Sequence, residues 1–143
     1  MTTATSTLLS SLTLAELPRI GQEWPGSGGI FAGLVRGQDG ASDYLLILGP
    51  EKEIECNWQD AMDWAAGLDI NDHADFTLPT RAEQSILLGN LRDQFEPGWY
   101  WSCEQHAARS VYAWMQHFGY GSQGGHLKSF VFRARAVRRL IIQ

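Results

Sequence analysis

The sequence WYWSCEQHAARSVYAWMQHF, residues 99–118, decides the fold of this chain. It begins with Trp99-Tyr100-Trp101-Ser102, a run of residues that strongly favours a β-strand. In residues 112–118 two sets of side chains alternate with the two-residue period of a strand. The stretch therefore predicts two strands with a connection between them.

The residues after this stretch continue the strand pattern. Residues 119–125 are rich in glycine and predict a flexible hairpin tip. Alternation resumes over residues 130–139, which predicts one further strand. Phe130-Val131-Phe132 interrupts the alternation, so we expect at least one of these apolar side chains to be exposed. The alternative is that both phenylalanines are buried on one face of the strand.

The residues before this stretch predict a β-hairpin and two helices. Residues 30–35 and 44–48 read as strands around the turn Gln38-Asp39-Gly40. Asn57 is expected to cap an amphipathic helix over residues 58–68. Thr80, with Glu83 three residues later, forms a capping box that predicts a second helix. The apolar face of that helix is Ile86, Leu87 and Leu91.

This order of elements predicts an α+β domain, in which two helices pack on a mixed or antiparallel sheet with long C-terminal loops. The length of 143 residues fits one such domain. Residues 1–18, which are rich in Ser and Thr and end at Pro18, are expected to form an N-terminal arm. Residues 19–143 are expected to form the domain.

Charge is distributed unevenly along the chain. Residues 1–105 contain sixteen Asp or Glu and five Lys or Arg, whereas residues 106–143 contain six basic residues and no acidic residue. One interpretation is that Arg133, Arg135, Arg138 and Arg139 pair with acids of the front two thirds. The other is a nucleic-acid patch, which is disfavoured because the net charge is −5 and the arginines are confined to one short predicted strand.

Membrane insertion and secretion are not expected from the sequence. No run approaches the roughly 18 apolar residues of a membrane helix, and the start lacks the basic segment and the cleavage site of a secretory signal. We therefore expect a cytoplasmic or phage-associated protein. Cys56 and Cys103 are then expected to be free thiols, although pairing stays open if the compartment is oxidising.

Several motifs together carry a resemblance to a known fold family. They are Trp58-x-x-Ala61-Met62-x-Trp64-Ala65, Phe76-x-Leu78-Pro79-Thr80-Arg81-x-Glu83, Tyr100-Trp101-Ser102-x-Glu104, Ala113-Trp114, Phe118-x-x-Gly121 and Arg133-x-Arg135-x-Val137-Arg138. Over residues 20–140, their order and spacing resemble a bacterial and phage family with the C-type-lectin-like fold. That family has no assigned function and is related to the C-terminal domain of collagen-like adhesins. The motifs also resemble the variable proteins of diversity-generating retroelements.

The resemblance implies a division into scaffold and recognition surface. Its aromatic scaffold residues would be Trp58, Trp64, Trp101, Trp114 and Phe118, since large aromatic side chains dominate small cores. Residues 109–132 would present a ligand-binding surface, with Tyr, His, Ser and Gly residues like those of antibody loops. The implied contact residues are Arg109, Ser110, Val111, Tyr112, Met115, His117, Tyr120, Ser122, Gly124, Gly125, His126, Leu127, Ser129, Phe130, Val131 and Phe132.

The function that the resemblance implies is non-enzymatic recognition of a macromolecular ligand, expected to be a protein, without a cofactor. The alternative is a phage structural or inhibitory protein that acts through fixed contacts. In that alternative, residues 8–17 of the arm would pack on neighbouring subunits of a homo-oligomer.

Metal and enzyme chemistry are disfavoured by the residues present. Glu96-Pro97-Gly98 matches only part of the calcium-binding element of sugar-binding C-type lectins, and calcium needs about six to eight oxygen ligands. Cys56 and Cys103 do not match the paired cysteines of formylglycine-generating oxidases, which share this fold. The histidines lack zinc-like spacing, and residues 119–125 lack the Lys-Ser or Lys-Thr of a phosphate loop.

Overall fold

The structure is a computed structural model, and it describes residues 7–9, 16–50 and 53–142. Its elements are β1 (Thr7–Leu9), β2 (Glu23–Trp24), β3 (Gly29–Val35), β4 (Tyr44–Leu48), β5 (Ile54–Cys56), α1 (Trp58–Ala66), α2 (Arg81–Leu91), a 3-10 turn (Arg92–Gln94), β6 (Trp99–Gln105), β7 (Tyr112–His117), β8 (Gln123–Leu127), β9 (Phe132–Ala134) and β10 (Val137–Ile142). The strands form two five-stranded sheets, ordered β1-β10-β4-β3-β2 in sheet A and β5-β9-β6-β7-β8 in sheet B. The predicted α+β class with two helices is confirmed, but the strands form two sheets instead of the single sheet that was expected.

The predicted β-hairpin and both predicted helix caps are present. Strands β3 and β4 pair antiparallel, and the turn between them holds Asp39 and Gly40 at φ of 53° and 83°. Such positive φ values favour Gly and are tolerated by Asp. Asn57 Oδ1 accepts the N–H of Asp60 at the start of α1. Helix α1 ends at Ala66, two residues before the expected end.

Helix α2 lies between the two sheets. Asn90 Nδ2 donates to Ala32 O on β3 at 2.8 Å, and Gln84 Nε2 donates to Tyr100 O on β6 at 3.1 Å. Around α2 the buried cluster is Ala32, Val35, Leu46, Leu48, Leu87, Leu91, Tyr100, Phe118 and Val137. Adjacent residues of a strand point to opposite faces, so Trp101, next to Tyr100, points to a second cluster, which packs beneath α1. Sheet B is therefore covered by a helix on each face.

The prediction of one strand over residues 130–139 is wrong. Strand β9 pairs with β5 and β6 in sheet B, whereas β10 pairs with β4 in sheet A. The chain changes sheets at Arg135, whose buried guanidinium donates to Gln94 O at 2.6 Å and to Gly49 O at 3.0 Å. Alternation could not reveal this crossing, because both strands have the same two-residue period.

The predicted glycine-rich loop over residues 119–125 is shorter than expected. Gly124 and Gly125 belong to β8, which pairs antiparallel with β7. The turn before β8 is held by His117, whose Nδ1 accepts the N–H groups of Gly119 at 3.0 Å and Tyr120 at 2.8 Å. Glycine is disfavoured inside strands, so composition alone assigned these residues to a loop.

The predicted N-terminal arm is described in part. Strand β1 pairs parallel with β10, with Thr7 opposite Leu140, so this part of the arm extends the chain's own sheet A. Residues 1–6 and 10–15 of the arm lie outside the described residues.

The predicted aromatic core is only partly correct. Trp101 and Phe118 are buried. Trp58 and Trp64 are half-buried at the margin of the cluster beneath α1. The assignment of Trp114 to the core is wrong: it is partly buried but belongs to neither cluster, and the guanidinium of Arg81, the first residue of α2, lies over its ring.

Arginines of the C-terminal third pair with acids of the front two thirds, which the charge distribution favoured over a nucleic-acid patch. The ion pairs are Arg133 with Glu53 at 3.0 Å, Arg138 with Asp75 at 2.8 Å, and Arg139 with Glu83 at 2.6 Å. Arg138 is fully buried. These pairs hold the last two strands against segments that are distant in sequence.

The carboxylate of Glu83 is fully buried and receives four hydrogen bonds. Arg139 donates two at 2.6 Å, Tyr44 Oη donates one at 2.6 Å, and the Thr80 N–H donates one at 2.9 Å. Burial alone would raise the pKa of Glu83, but Arg139, with help from Tyr44 and Thr80, holds that pKa below its usual value. Glu83 is therefore ionised in the folded protein at neutral pH.

Replacing Glu83→Gln should destabilise the fold by about 3 to 5 kcal/mol at pH 7, because it leaves Arg139, whose side chain is only 21% exposed, without its counter-charge. The pKa of Glu83 is lower in the folded than in the unfolded protein. Its contribution is therefore present above the unfolded pKa, about 4.3, and is lost as the pH falls through the folded pKa. Urea unfolding should show the difference between variant and wild type shrinking in acid.

The matched control is Glu23→Gln, the same chemical change at an exposed residue of β2. Its unfolding free energy should stay within about 0.5 kcal/mol of wild type. Equal losses in the two variants, or a Glu83→Gln deficit that does not shrink in acid, would contradict this account of α2.

Candidate recognition surface

Three large apolar side chains of the predicted surface are exposed at one end of sheet B. Val111 is 59% exposed, Phe130 is 49% exposed and Val131 is 61% exposed. Val111 lies between β6 and β7, whereas Phe130 and Val131 lie between β8 and β9. A hydrogen bond of 2.9 Å from Lys128 N to Val111 O joins these two connections. We call Val111, Phe130 and Val131 the apolar patch.

The two phenylalanines of this region lie in different environments. Phe130 follows a turn closed by its N–H bond to Leu127 O, and its ring lies 4.4 Å from that of His126. Phe132 starts β9 and packs edge-on against Trp101, with 5.3 Å between the ring centroids. The expectation that at least one apolar side chain of the run is exposed is therefore confirmed.

Two basic side chains flank the apolar patch. The guanidinium of Arg109 lies 5.3 Å from the ring centroid of Tyr112. Lys128 Nζ lies 4.5 Å from the ring centroid of Trp58 and 2.5 Å from Gln105 Oε1. Neither forms an ion pair with a residue that the structure describes. Their positive charge is therefore not neutralised within the described chain.

Trp114 forms a second feature of this surface, next to β8. The Arg81 guanidinium lies 3.6 Å from its ring centroid, and the His106 ring stacks on it at 4.8 Å. Gly125 stands opposite Trp114 in the β7–β8 register and has no side chain to cover it. Neither Arg81 nor His106 was among the predicted contact residues. One signal could have revealed them. If Trp114 faces the side of the strand opposite to Met115, its ring must be covered by side chains outside the core.

Tyr120 lies at the other end of the β7–β8 hairpin from the apolar patch. It is 86% exposed, and its ring stacks on that of His117 at 4.3 Å. The hairpin strands between the two ends rise about 3.4 Å per residue, which separates the ends by roughly 15 Å. The structure therefore divides the predicted surface into two exposed regions.

Met115 and His117 are buried, so their prediction as surface contacts is wrong. Met115 is 2% exposed and stands opposite Trp101 in the β6–β7 register, facing the cluster beneath α1. His117 is 9% exposed and orders the turn before β8. Both side chains point to the face of β7 that α1 covers, since side chains two residues apart in a strand share a face.

The other predicted contact residues surround these regions. Exposed residues are Arg109, Ser110, Ser122, Gly125 and Ser129. Partly buried residues are Tyr112, Gly124, His126, Leu127 and Phe132.

Cavities in the described part of the chain also lie away from the predicted surface, and two of them are polar or mixed in lining. One, of about 510 Å³, lies beside the β3–β4 turn and the start of α2, with Val35, Tyr44, Ala82, Glu104 and Arg139 among its lining residues. The other, of about 500 Å³, is lined by Glu53, Glu55, Asp93, Gln94, Phe95, Glu96 and Arg133. Among the described residues, no three His, Cys, Asp or Glu side chains are placed to hold a metal ion.

Cys56 and Cys103 are free thiols, and both are partly buried. Burial raises the pKa of Cys103 to about 11 against the opposing effect of Arg139. Burial, with a smaller contribution from Asp60, also raises the pKa of Cys56. Both thiols are therefore protonated at neutral pH and are weak nucleophiles.

Comparison with known proteins assigns no family to the chain: the sequence matches no protein family and no curated protein. In the described part of the chain, no helix combines the length and the apolar character needed to cross a membrane.

Met115→Ala and Val131→Ala should separate core from surface among the predicted contact residues. Met115→Ala leaves a cavity beneath α1 and should cost about 2 to 5 kcal/mol of unfolding free energy. Val131→Ala should change it by no more than about 0.5 kcal/mol, because Val131 is 61% exposed. Thermal or urea unfolding measures both. Similar losses in the two variants would show that the patch is part of the core.

Proposed function

We propose that this protein is a non-enzymatic recognition module that binds a protein ligand through the apolar patch. The observation that carries the proposal is the exposure of Val111, Phe130 and Val131 at one end of a sheet whose two faces are covered. Contiguous exposed apolar side chains rimmed by polar residues are typical of protein contact sites. Arg109 and Lys128 provide such a rim.

The scaffold supports this function because it holds the loops in place. The connection that carries Val111 is bonded to Lys128, and Lys128 O accepts the N–H of Trp58 at the start of α1. Anchored contact residues lose little conformational entropy on binding, so more of their contact energy appears as affinity.

We propose further that the domain has the C-type-lectin-like fold. Its element order supports this assignment: a hairpin, two helices, a second sheet, and a last strand that returns to the first sheet. The motif resemblance extends the proposal to a variable protein of the diversity-generating retroelement type. In that case Val111, Tyr120, Phe130 and Val131 would be positions of variation, whereas the buried Met115 would be invariant.

The alternative function, a phage structural or inhibitory protein that assembles through its arm, has less support. The backbone of β1 is paired with β10 of the same chain. One edge of the arm backbone over Thr7–Leu9 is therefore already paired with a strand of sheet A.

The test compares the wild-type protein with the triple variant Val111→Ser, Phe130→Ser, Val131→Ser. Each protein is immobilised and exposed to a lysate of the cells that encode it, and the retained proteins are quantified by mass spectrometry. A protein ligand should be retained at least about tenfold less by the variant, which corresponds to a loss of about 1.4 kcal/mol or more. Equal retention by both proteins would contradict the assignment of the patch.

The matched control is Leu34→Ser, because Leu34 is 59% exposed on β3, as exposed as Val111 but in sheet A. It should retain the ligand as the wild type does. If Leu34→Ser also lost the ligand, retention would depend on general surface hydrophobicity.

A further inference from the structure

The outer edge of β8 has backbone groups without partners among the described residues. Hydrogen bonds join His117 N to Ser122 O and Lys128 N to Val111 O. His117–Ser122 and Val111–Lys128 are therefore hydrogen-bonded pairs at the two ends of the β7–β8 ladder. Bonded and non-bonded pairs alternate in an antiparallel ladder, so Gly124 and His126 also bond inward. The backbones of Gln123, Gly125 and Leu127 therefore face outward, and of these only Leu127 O is used, by Phe130 N.

The other sheet edges in the described chain are shorter or charged. The remaining edge strands are β1 and β2 in sheet A and β5 in sheet B. Strand β2 has two residues and precedes Pro25, β1 has three residues, and β5 has three residues including Glu55. Short length, charge and proline are the features that usually protect sheet edges from added strands. Strand β8, with five residues and neither proline nor a carboxylate or ammonium group, lacks these features.

Basic side chains lie at both ends of β8. The Arg81 side chain reaches Gln123, with Nε 3.1 Å from its Oε1. Lys128 directly follows β8, and Arg109 lies over Tyr112, which is opposite Leu127. None of the three cations forms an ion pair with another described residue. The nearby carboxylate of Glu104 accepts the backbone N–H of Arg81, so it offsets the positive charge only in part.

We propose that β8 binds an extended acidic segment of the partner protein as an added strand of sheet B. The inference rests on the proposed function and specifies how the partner binds. Backbone hydrogen bonds to Gln123, Gly125 and Leu127 supply affinity that is independent of sequence, as in other cases of strand addition. Carboxylates of the partner face Arg81 at one end of β8 and Arg109 and Lys128 at the other.

Charge favours an acidic partner over a second copy of this chain. Antiparallel pairing of two β8 strands about Gly125 would place Gln123 of one copy opposite Leu127 of the other. The Arg81 end of each strand would then face the Lys128 end of its neighbour, and these like charges would repel each other.

The test uses Gly125→Pro and the control Gly125→Ala. Because the Gly125 N–H points outward, proline removes a donor to the added strand and no bond of the β7–β8 ladder. Alanine keeps the N–H, and its Cβ would lie 3.2 Å from a side-chain atom of His106, which is partly exposed. Amide NMR spectra check that both variants keep the wild-type fold.

The probe is a set of peptides selected on the wild-type protein from a random dodecapeptide display library. We expect enriched peptides that carry Asp or Glu at alternate positions. Their affinity should fall at least about tenfold for Gly125→Pro and stay within about threefold of wild type for Gly125→Ala. Peptides without acidic residues, no enrichment over a blank support, or unchanged binding to Gly125→Pro would overturn the proposal.

The triple variant of the apolar patch separates this inference from the proposed function. If the peptides lose affinity for that variant but bind Gly125→Pro like wild type, the patch binds ligand and strand addition is wrong. If a lysate ligand needs the apolar patch while no peptide is selected, the proposed function stands and only the strand-addition proposal is wrong. If light scattering shows a wild-type dimer that Gly125→Pro converts to monomer, a second copy occupies β8 and the acidic partner is overturned.

N-methylated peptides repeat the test on the wild-type protein, in case Gly125→Pro does not fold. Methylating alternate backbone amides of a selected peptide in one register should abolish binding, whereas methylation in the other register should leave it intact. Equal effects of the two registers would show that the peptide does not bind as a strand.

Discussion

The ion pair between Glu83 and Arg139 is the interaction on which the rest of the structure depends. It connects the first turn of α2 to β10, and the same carboxylate accepts the Tyr44 hydroxyl from β4. Helix α2 also contacts sheet B through the bond from Gln84 to Tyr100 O. One buried carboxylate therefore fixes the helix that lies between the two sheets, and removing its charge would leave the fully paired Arg139 without compensation.

The use of the arginines in the C-terminal third explains where the free positive charge lies. Arg133, Arg138 and Arg139 are paired with acids from earlier segments. Arg135 is buried and donates to the carbonyls of Gln94 and Gly49. The other two basic residues after residue 105, Arg109 and Lys128, lie at the apolar patch beside β8. The charge asymmetry of the sequence thus stabilises the scaffold and leaves a small basic rim around the exposed apolar residues.

The sequence predicted the local elements better than their arrangement. The cap at Thr80 and the turn at Asp39-Gly40 depend on neighbouring residues, so their patterns were readable. The break at Arg135 depends on carbonyls of Gln94 and Gly49, which are distant in sequence, so residues 130–139 read as one strand.

The candidate surface shows the same limit. The resemblance, supported by the local composition, implied residues 109–132 but not which side chains face outward, because that choice depends on which face of β7 the helix α1 covers. Met115 was therefore assigned to the surface, although it packs opposite Trp101.

The measurement that tests the central claim, a rigid scaffold with an open edge for a ligand, is amide hydrogen exchange along β8. We predict strong protection at Gly124 and His126 and fast exchange at Gln123, Gly125 and Leu127. Equal protection at all five amides would contradict the account, because the edge would then be covered already.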